Sequence, residues 1–316
     1  MSLHVFASIV TPFGTAANNR GETEGNVTTL QKLIWHGQPH STVSAESIRF
    51  ALRRILATLD PNGTNRRWDE GARRNEWEDN EFKTWANEKK AAYIDDDLLG
   101  FMSAEAASEE GEKGAANVRR AVLEVTRAVS LTPWSGDVTF NAASPGATPS
   151  AQKKGDYSVP YGTEVHATRY QYGLALTPER LRDKSRAAKA LTAVGQLGTV
   201  AGNQGRFLFD FSPESIVIRI TDDPAPRLLY CFQSPDDGRT VTLTSVFVNR
   251  VGAKPARNGD AHPDICGDEL IIGGAFAADG PATELKATGA TLFPNGVKAA
   301  IAEACKRINE NLGLKG

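Results

Sequence analysis

The chain has 316 residues, 40% of them hydrophobic, and a formal net charge of −2. That length suits one large domain with an insertion, or two domains, and no stretch approaches the ~20 apolar residues that cross a bilayer. Cys231, Cys266 and Cys305 are odd in number and far apart, which argues against a disulfide framework or zinc site; with no basic and apolar leader at the start, a cytoplasmic protein is expected.

A near-neutral charge is unlike most nucleic-acid-binding domains, which are strongly basic. The distribution modifies this. Residues 62–113 hold 14 acidic and 8 basic residues, so the remainder carries 28 basic against 24 acidic, a net of +4. The acidity sits in one segment.

In chain order, residues 3–10 read as a buried strand that Thr11-Pro12 ends. Residues 13–43 form a long, glycine-punctuated connection, with a short helix or strand at 28–35; connections of this length inside a compact domain tend to be functional. Residues 44–59 are the clearest helix. Ser44 is its N-cap, Ile48, Ala51, Leu52, Ile55, Leu56 and Leu59 make an apolar stripe, and Arg49 and Arg53 share a face. The acidic segment carries Trp68, Trp77 and Trp85, predicts helices around 76–90, and reads as a peripheral insertion.

A further helix is predicted at 118–129. Residues 137–142 and 168–176 read as strands flanking a projecting loop rich in Pro, Gly, Ser and Lys. Thr177-Pro178-Glu179-Arg180 opens a basic helix. Strands follow at 215–220, 227–232, 241–249 and 270–276, and an amphipathic helix at 296–312. This order fits an α+β sandwich with insertions. There is no internal repeat and no Rossmann or P-loop fingerprint.

The candidate sites are anion-binding. Asn18, Asn19, Arg20 and Gly21 suit phosphate through N–H groups and a guanidinium, although Asn and Gly equally favour plain turns. Ser44 and Ser47 stand where a helix start could receive phosphate, or where Ser44 merely caps. Arg49, Arg53 and Arg54 line a groove or a solvated face. Residues 195–206, with Asn203, Gln204 and Arg206, form a glycine-rich loop that a backbone could approach. Lys153, Lys154 and His166 lie in or beside the projecting loop. Asp95-Asp96-Asp97 reads as a solvated or capping cluster, because three consecutive residues do not converge on one ion. The five histidines lack metal-ligand spacing, and no nucleophile elbow or Cys–His signature is present.

Three stretches carry a resemblance: Asn18-Asn19-Arg20-Gly21-Glu22, residues 43–53 (VSAESIRFALR), and residues 93–102 (YIDDDLLGFM). With Gly202-Asn203-Gln204-Gly205-Arg206 and Ser212-Pro213-Glu214-Ser215-Ile216-Val217, they resemble the DevR-type backbone subunit of type I CRISPR surveillance complexes. This is the seventh family of CRISPR-associated proteins, within the RAMP superfamily. The resemblance implies a modified RRM, or ferredoxin-like, palm (1–60, 118–142, 167–316), with helical fingers at 61–117 and a thumb hairpin at 143–166. It implies crRNA binding through Asn18, Asn19, Arg20, Gly21, Ser44, Ser47, Arg49 and Arg53, with residues 202–206 as a second site. It implies partners: guide crRNA, target DNA through the guide, further copies of the chain in a helical filament, a large subunit, a five-type cap subunit and a six-type processing nuclease. No cofactor and no membrane are implied, and subtype I-B is the expected setting. The chain lacks an aromatic RNP signature, so backbone rather than base recognition is expected. Type III relatives cut target RNA with an aspartate between first strand and first helix. Residues 11–43 contain no aspartate, only Glu22 and Glu24, which points to a non-catalytic protein.

Overall fold

The computed structural model of the chain describes residues 2–19, 21–87, 89–104, 116–147, 152, 157–201, 207–256 and 262–314. Its elements in chain order are β1 (His4–Val10), β2 (Lys32–Trp35), β3 (Gln38–Val43), α1 (Ala45–Leu59), β4 (Arg66–Asp69), β5 (Arg74–Trp77), α2 (Ile94–Leu99), β6 (Phe101–Ala104), β7 (Ala116–Arg119) and β8 (Leu123–Val125). There follow β9 (Ala128–Ser130), β10 (Val138–Ala143), β11 (Val159–Glu164), β12 (Tyr170–Leu176), α3 (Arg186–Gly195), β13 (Ser215–Thr221), β14 (Leu270–Gly274), β15 (Thr291–Phe293) and α4 (Val297–Asn311). The architecture is α+β.

The main sheet runs β15-β14-β13-β1-β12-β9-β3-β2, with β8 also on β12. β1 lies at its heart, antiparallel to β12 (Ile9↔Tyr172) and to β13 (Ile9↔Ile216). The period-2 geometry of a strand splits its apolar residues between two cores. Val5, Ala7 and Ile9 face the helices α1, α3 and α4, while Phe6 and Val10 pack with Val217, Phe232 and Ile272 on the other face. A strand buried on both faces reads as a continuous apolar run, which is why its sequence is so legible.

α1 begins at Ser44, whose Oγ accepts from the Ser47 N–H over 3.2 Å, and it buries Ile48, Ala51, Leu52 and Leu56. Such a cap contributes about 1 kcal/mol. α4 buries Val297, Ala300, Ile301, Ala304 and Ile308.

Several expected elements differ. Residues 118–129 form parts of β7, β8 and β9, not a helix. Val118, Val122, Val125 and Val129 fall at helical spacing, but they are β-branched, and β8 and β9 both pair with β12. The insertion contains the antiparallel hairpin β4–β5, the pair β6–β7, the short helix α2 and a single turn at Lys83–Ala86, in place of extended helices at 76–90. The basic helix after Thr177 is broken: a 3-10 turn, Pro178–Arg180, precedes α3, and Thr177 makes no side-chain cap. Residues 227–232 turn rather than extend, with Arg227 and Tyr230 at φ +57°, and 241–249 divides into a two-residue strand and a helical turn.

β10 forms a hairpin with β11, in register from Val138↔Glu164 to Ala143↔Val159; this corrects the expected pair, because β11 arises within the expected loop at 143–166 and the second expected strand, β12, lies in the main sheet. Residues 27–28 add to β11 in parallel, and 23–24 to them, so the 18–28 connection is joined to the hairpin. Glu164 anchors it by accepting from the Leu30 N–H (2.6 Å) and from Lys32 Nζ (2.5 Å).

Candidate nucleic-acid interface

Several cationic side chains converge where α1 meets the hairpin β4–β5. Arg49 and Arg53 project one turn apart from the flank of α1, and Arg66 enters from the start of β4. All three line one cavity of about 600 Å³, together with Glu46, Trp77 and Arg119. Arg53 and Arg66 also border two adjoining depressions along α1, which add Ser47, Phe50, Arg54, Arg67 and Trp68. The result is a basic groove with aromatic walls.

Each arginine is oriented by a group of the protein. Arg49 Nη2 donates to the Leu99 carbonyl, and Arg53 Nε donates to Asp95 Oδ2 over 3.1 Å. Arg66 lies 5.3 Å from the centre of the Trp77 ring, and its Nε is buried with no hydrogen-bond partner among the described residues. Burial holds the Arg49 guanidinium below its ordinary pKa, with Arg53 adding to the effect. Burial does the same to Arg66, with Arg53 and Arg49 adding. Mutually repelling cations in a half-buried cleft are chemically suited to an anion, and Glu46, Asp95 and Asp96 line the same cavity.

The scaffold beneath is acidic. Asp95, Asp96 and Asp97 occupy the first turn of α2, where carboxylates oppose the helix dipole favourably. All three are buried, so of the expected alternatives, solvated or capping, the solvated one fails. Successive residues on a helix point about 100° apart, so each finds its own partners. Asp95 takes the N–H groups of Asn65 (2.7 Å) and Arg66 (3.1 Å) as well as Arg53. Asp96 accepts from Asn65 Nδ2 over 3.0 Å, and burial, reinforced by Asp95, pushes its pKa up to about 7. Asp97 accepts from Arg119 (2.8 Å), Arg186 (3.0 Å) and the N–H groups of Arg182 (3.0 Å) and Asp183 (3.1 Å).

The structure sorts the residues expected to hold phosphate. Ser47, Arg49 and Arg53 border the groove, whereas Ser44 is buried and its Oγ serves as the cap of α1, accepting from the Ser47 N–H. Asn18 is buried and spends its side-chain amide on the Thr42 carbonyl, 2.7 Å away. Asn19 Oδ1 accepts from the Gly21 N–H over 3.1 Å, a local turn with Gly21 at φ +81°. Arg20, Lys153, Lys154, Asn203, Gln204 and Arg206 lie outside the described residues, although Thr199 and Ala201, which lead to residue 202, border the groove.

His166 is a correction to the projecting loop. It is buried in a short strand, His166–Thr168, past the end of β11. Its Nδ1 is 2.7 Å from Ser41 Oγ and its Nε2 is 3.1 Å from the Pro133 carbonyl. Burial lowers its pKa to about 4, so it is a neutral structural group.

Sequence reasoning did not single out Arg66, Arg67 or Arg119, because they lie in or beside an acidic segment read as peripheral. The signal was the tripeptide Arg66-Arg67-Trp68, basic and aromatic together within that segment.

Comparison with known proteins identifies relatives of the chain. The family model of the CRISPR-associated negative auto-regulator DevR/Csa2 matches residues 11–185. A Myxococcus xanthus (strain DK1622) protein, CRISPR-associated protein Cas7/Cst2/DevR, is 59% identical over 309 residues, 98% of this chain and 98% of that protein. A chain of a solved CRISPR RNA-guided surveillance complex is similar in fold, with a TM-score of 0.50 at 17% identity, covering 96% of this chain and 100% of that one.

Proposed function

The chain belongs to the DevR/Csa2 family of CRISPR-associated proteins, and from that premise we propose that it is the crRNA-binding backbone subunit of a CRISPR effector complex, gripping guide phosphates along the α1 groove. The observation that carries the site is the convergence of Arg49, Arg53 and Arg66 on one cavity, where Arg53 is paired with Asp95 and the Arg66 Nε has no hydrogen-bond partner among the described residues. Guide pairing reads the target's sequence, and the protein reads the guide's backbone.

In this reading the complex is of type I, subtype I-B, and copies of the chain follow one another along the guide. Target DNA is engaged through the guide, beside a large subunit, a five-type cap subunit and a six-type processing nuclease. Residues 1–60, 118–142 and 167–316 form an RRM-like palm. This is supported by the central place of β1 between antiparallel neighbours and by the helices α1, α3 and α4 on one face. Residues 61–117 are the fingers, and residues 143–166 are the thumb.

The protein is non-catalytic in this reading. Glu22 and Glu24, the only acids of residues 11–43, are exposed, and no aspartate stands between β1 and α1.

The test is to purify the full chain with its complex and measure what nucleic acid it carries. RNA of discrete length, protected in steps as copies are added, is expected. RNA bound only by a monomer would replace this reading with a stand-alone regulator. The guide-loaded assembly, given complementary RNA and Mg²⁺, is expected to leave it intact. Periodic cuts lost in Glu22→Ala or Glu24→Ala would reverse the non-catalytic assignment.

A further inference from the structure

We propose that Asp95 is a positioning residue of the groove, holding Arg53 by its Nε and the Arg66 backbone by its N–H so that both guanidinium groups face one phosphate. The inference rests on the phosphate-binding reading above.

The geometry is specific. Asp95 is 2% exposed, and its two oxygens serve three donors. Oδ2 accepts from Arg53 Nε and from the Arg66 N–H, each at 3.1 Å, and Oδ1 accepts from the Asn65 N–H at 2.7 Å. One carboxylate therefore couples a side chain of α1 to the first residues of β4. Engaging Arg53 at Nε leaves its terminal fork open: Nη1 and Nη2 make no hydrogen bond to a described residue, and Arg53 lines all three depressions along α1. A planar guanidinium fixed at one edge presents its other edge in one direction, the arrangement suited to bidentate phosphate binding.

An acid within a phosphate grip has two opposite consequences. By Coulomb repulsion alone it opposes RNA, so that neutralising it would tighten binding. If it aligns the arginines, neutralising it loosens binding despite the gain of one positive charge. Asp95→Asn separates these, because it places an amide donor against the two donors that Oδ2 now accepts.

The experiment measures binding of single-stranded polyuridine RNA to the full chain across a salt series, for wild type, Asp95→Asn, Arg53→Ala with Arg66→Ala, and the triple variant. Asp95→Asn is expected to weaken binding about tenfold, the scale of a hydrogen bond to a charged group, and to lower the salt slope. In the background lacking both arginines it is expected to add no further loss, whereas general damage would persist there. Affinity unchanged or raised in Asp95→Asn, or the same loss in the triple variant, would overturn the proposal. If Asp95→Asn does not fold, Asp95→Glu keeps the charge and moves the carboxylate by one methylene; weaker binding is expected, and wild-type affinity and slope in that variant would overturn the proposal. Should the double arginine variant bind like wild type, it is the groove itself that fails as the RNA site, a different result from an effect of the arginines without one of Asp95.

Discussion

Arg186 Nη1 donates to Asp97 Oδ2 over 3.0 Å, with both side chains sealed from solvent. The pair ties α3 to α2, and Arg186 also reaches Asp60 Oδ2 (3.3 Å) and the Ala92 carbonyl. Arg186→Leu would strand two buried carboxylates that other donors satisfy only in part. A loss of about 3–5 kcal/mol is expected, the usual result of removing one partner from a buried pair. Chemical denaturation at neutral pH measures it.

Asp96 gives a pH signature. Its folded pKa of about 7 lies above the unfolded value of 3.8, so the folded state binds the extra proton. The favourable contribution is complete below about pH 4, declines as pH rises and is gone above about pH 7. Asp96→Asn keeps an acceptor for Asn65 and removes the titration. Its stability relative to wild type should rise between pH 4 and 7 and level off beyond, by on the order of 2–4 kcal/mol. A difference independent of pH would refute this.

Gly100, between α2 and β6, sits at φ +67°, and a Cβ there would lie 2.3 Å from the Arg119 carbonyl oxygen and 2.7 Å from the Ala121 nitrogen. Both are backbone atoms and cannot swing aside. Gly100→Ala is expected to cost more than about 2 kcal/mol. It should also weaken RNA binding, because Leu99 holds Arg49 and Arg119 lines the groove. Thermal melting and a binding titration on the same sample check both effects.

Arg49→Ala and Arg66→Ala each remove a cation from the groove. Binding should weaken to a similar degree for RNAs of different sequence, and the slope of log K against log salt should fall by about 0.7 for each phosphate that is no longer neutralised. Unchanged affinity at both low and moderate salt would exclude these residues.

The main framework was legible where the information is local. β1 reads as a continuous apolar run because both its faces are covered, and α1 and α4 write their buried stripe within fifteen residues each. The stretch at 118–129 was not legible. Its valines satisfy a helical period and a strand's side-chain preference alike, and the decision came from β12, some fifty residues downstream, which offered hydrogen-bonding partners to β8 and β9.

The candidate site divides the same way. Arg49 and Arg53 were visible as two residues on one helical face, since i and i+4 positions coincide by geometry alone. The burial of Asp95-Asp96-Asp97 was invisible, because nothing in a run of three acids reveals that Arg53, Arg119 and Arg186 will meet it. His166 looked like part of a projecting loop; pairing with residues 14–16 drew it inside.

By itself the sequence determined the family, the α+β class, and the cationic face of α1, all of them properties of neighbours along the chain. Only the tertiary structure decided that Arg66 joins Arg49 and Arg53. That meeting depends on Asp95 gripping Arg53, 42 positions before it, and the Arg66 N–H, 29 before it. Contacts made across such distances are set by the packing of α2 against α1 and by the desolvation of its acids, and no local pattern records them.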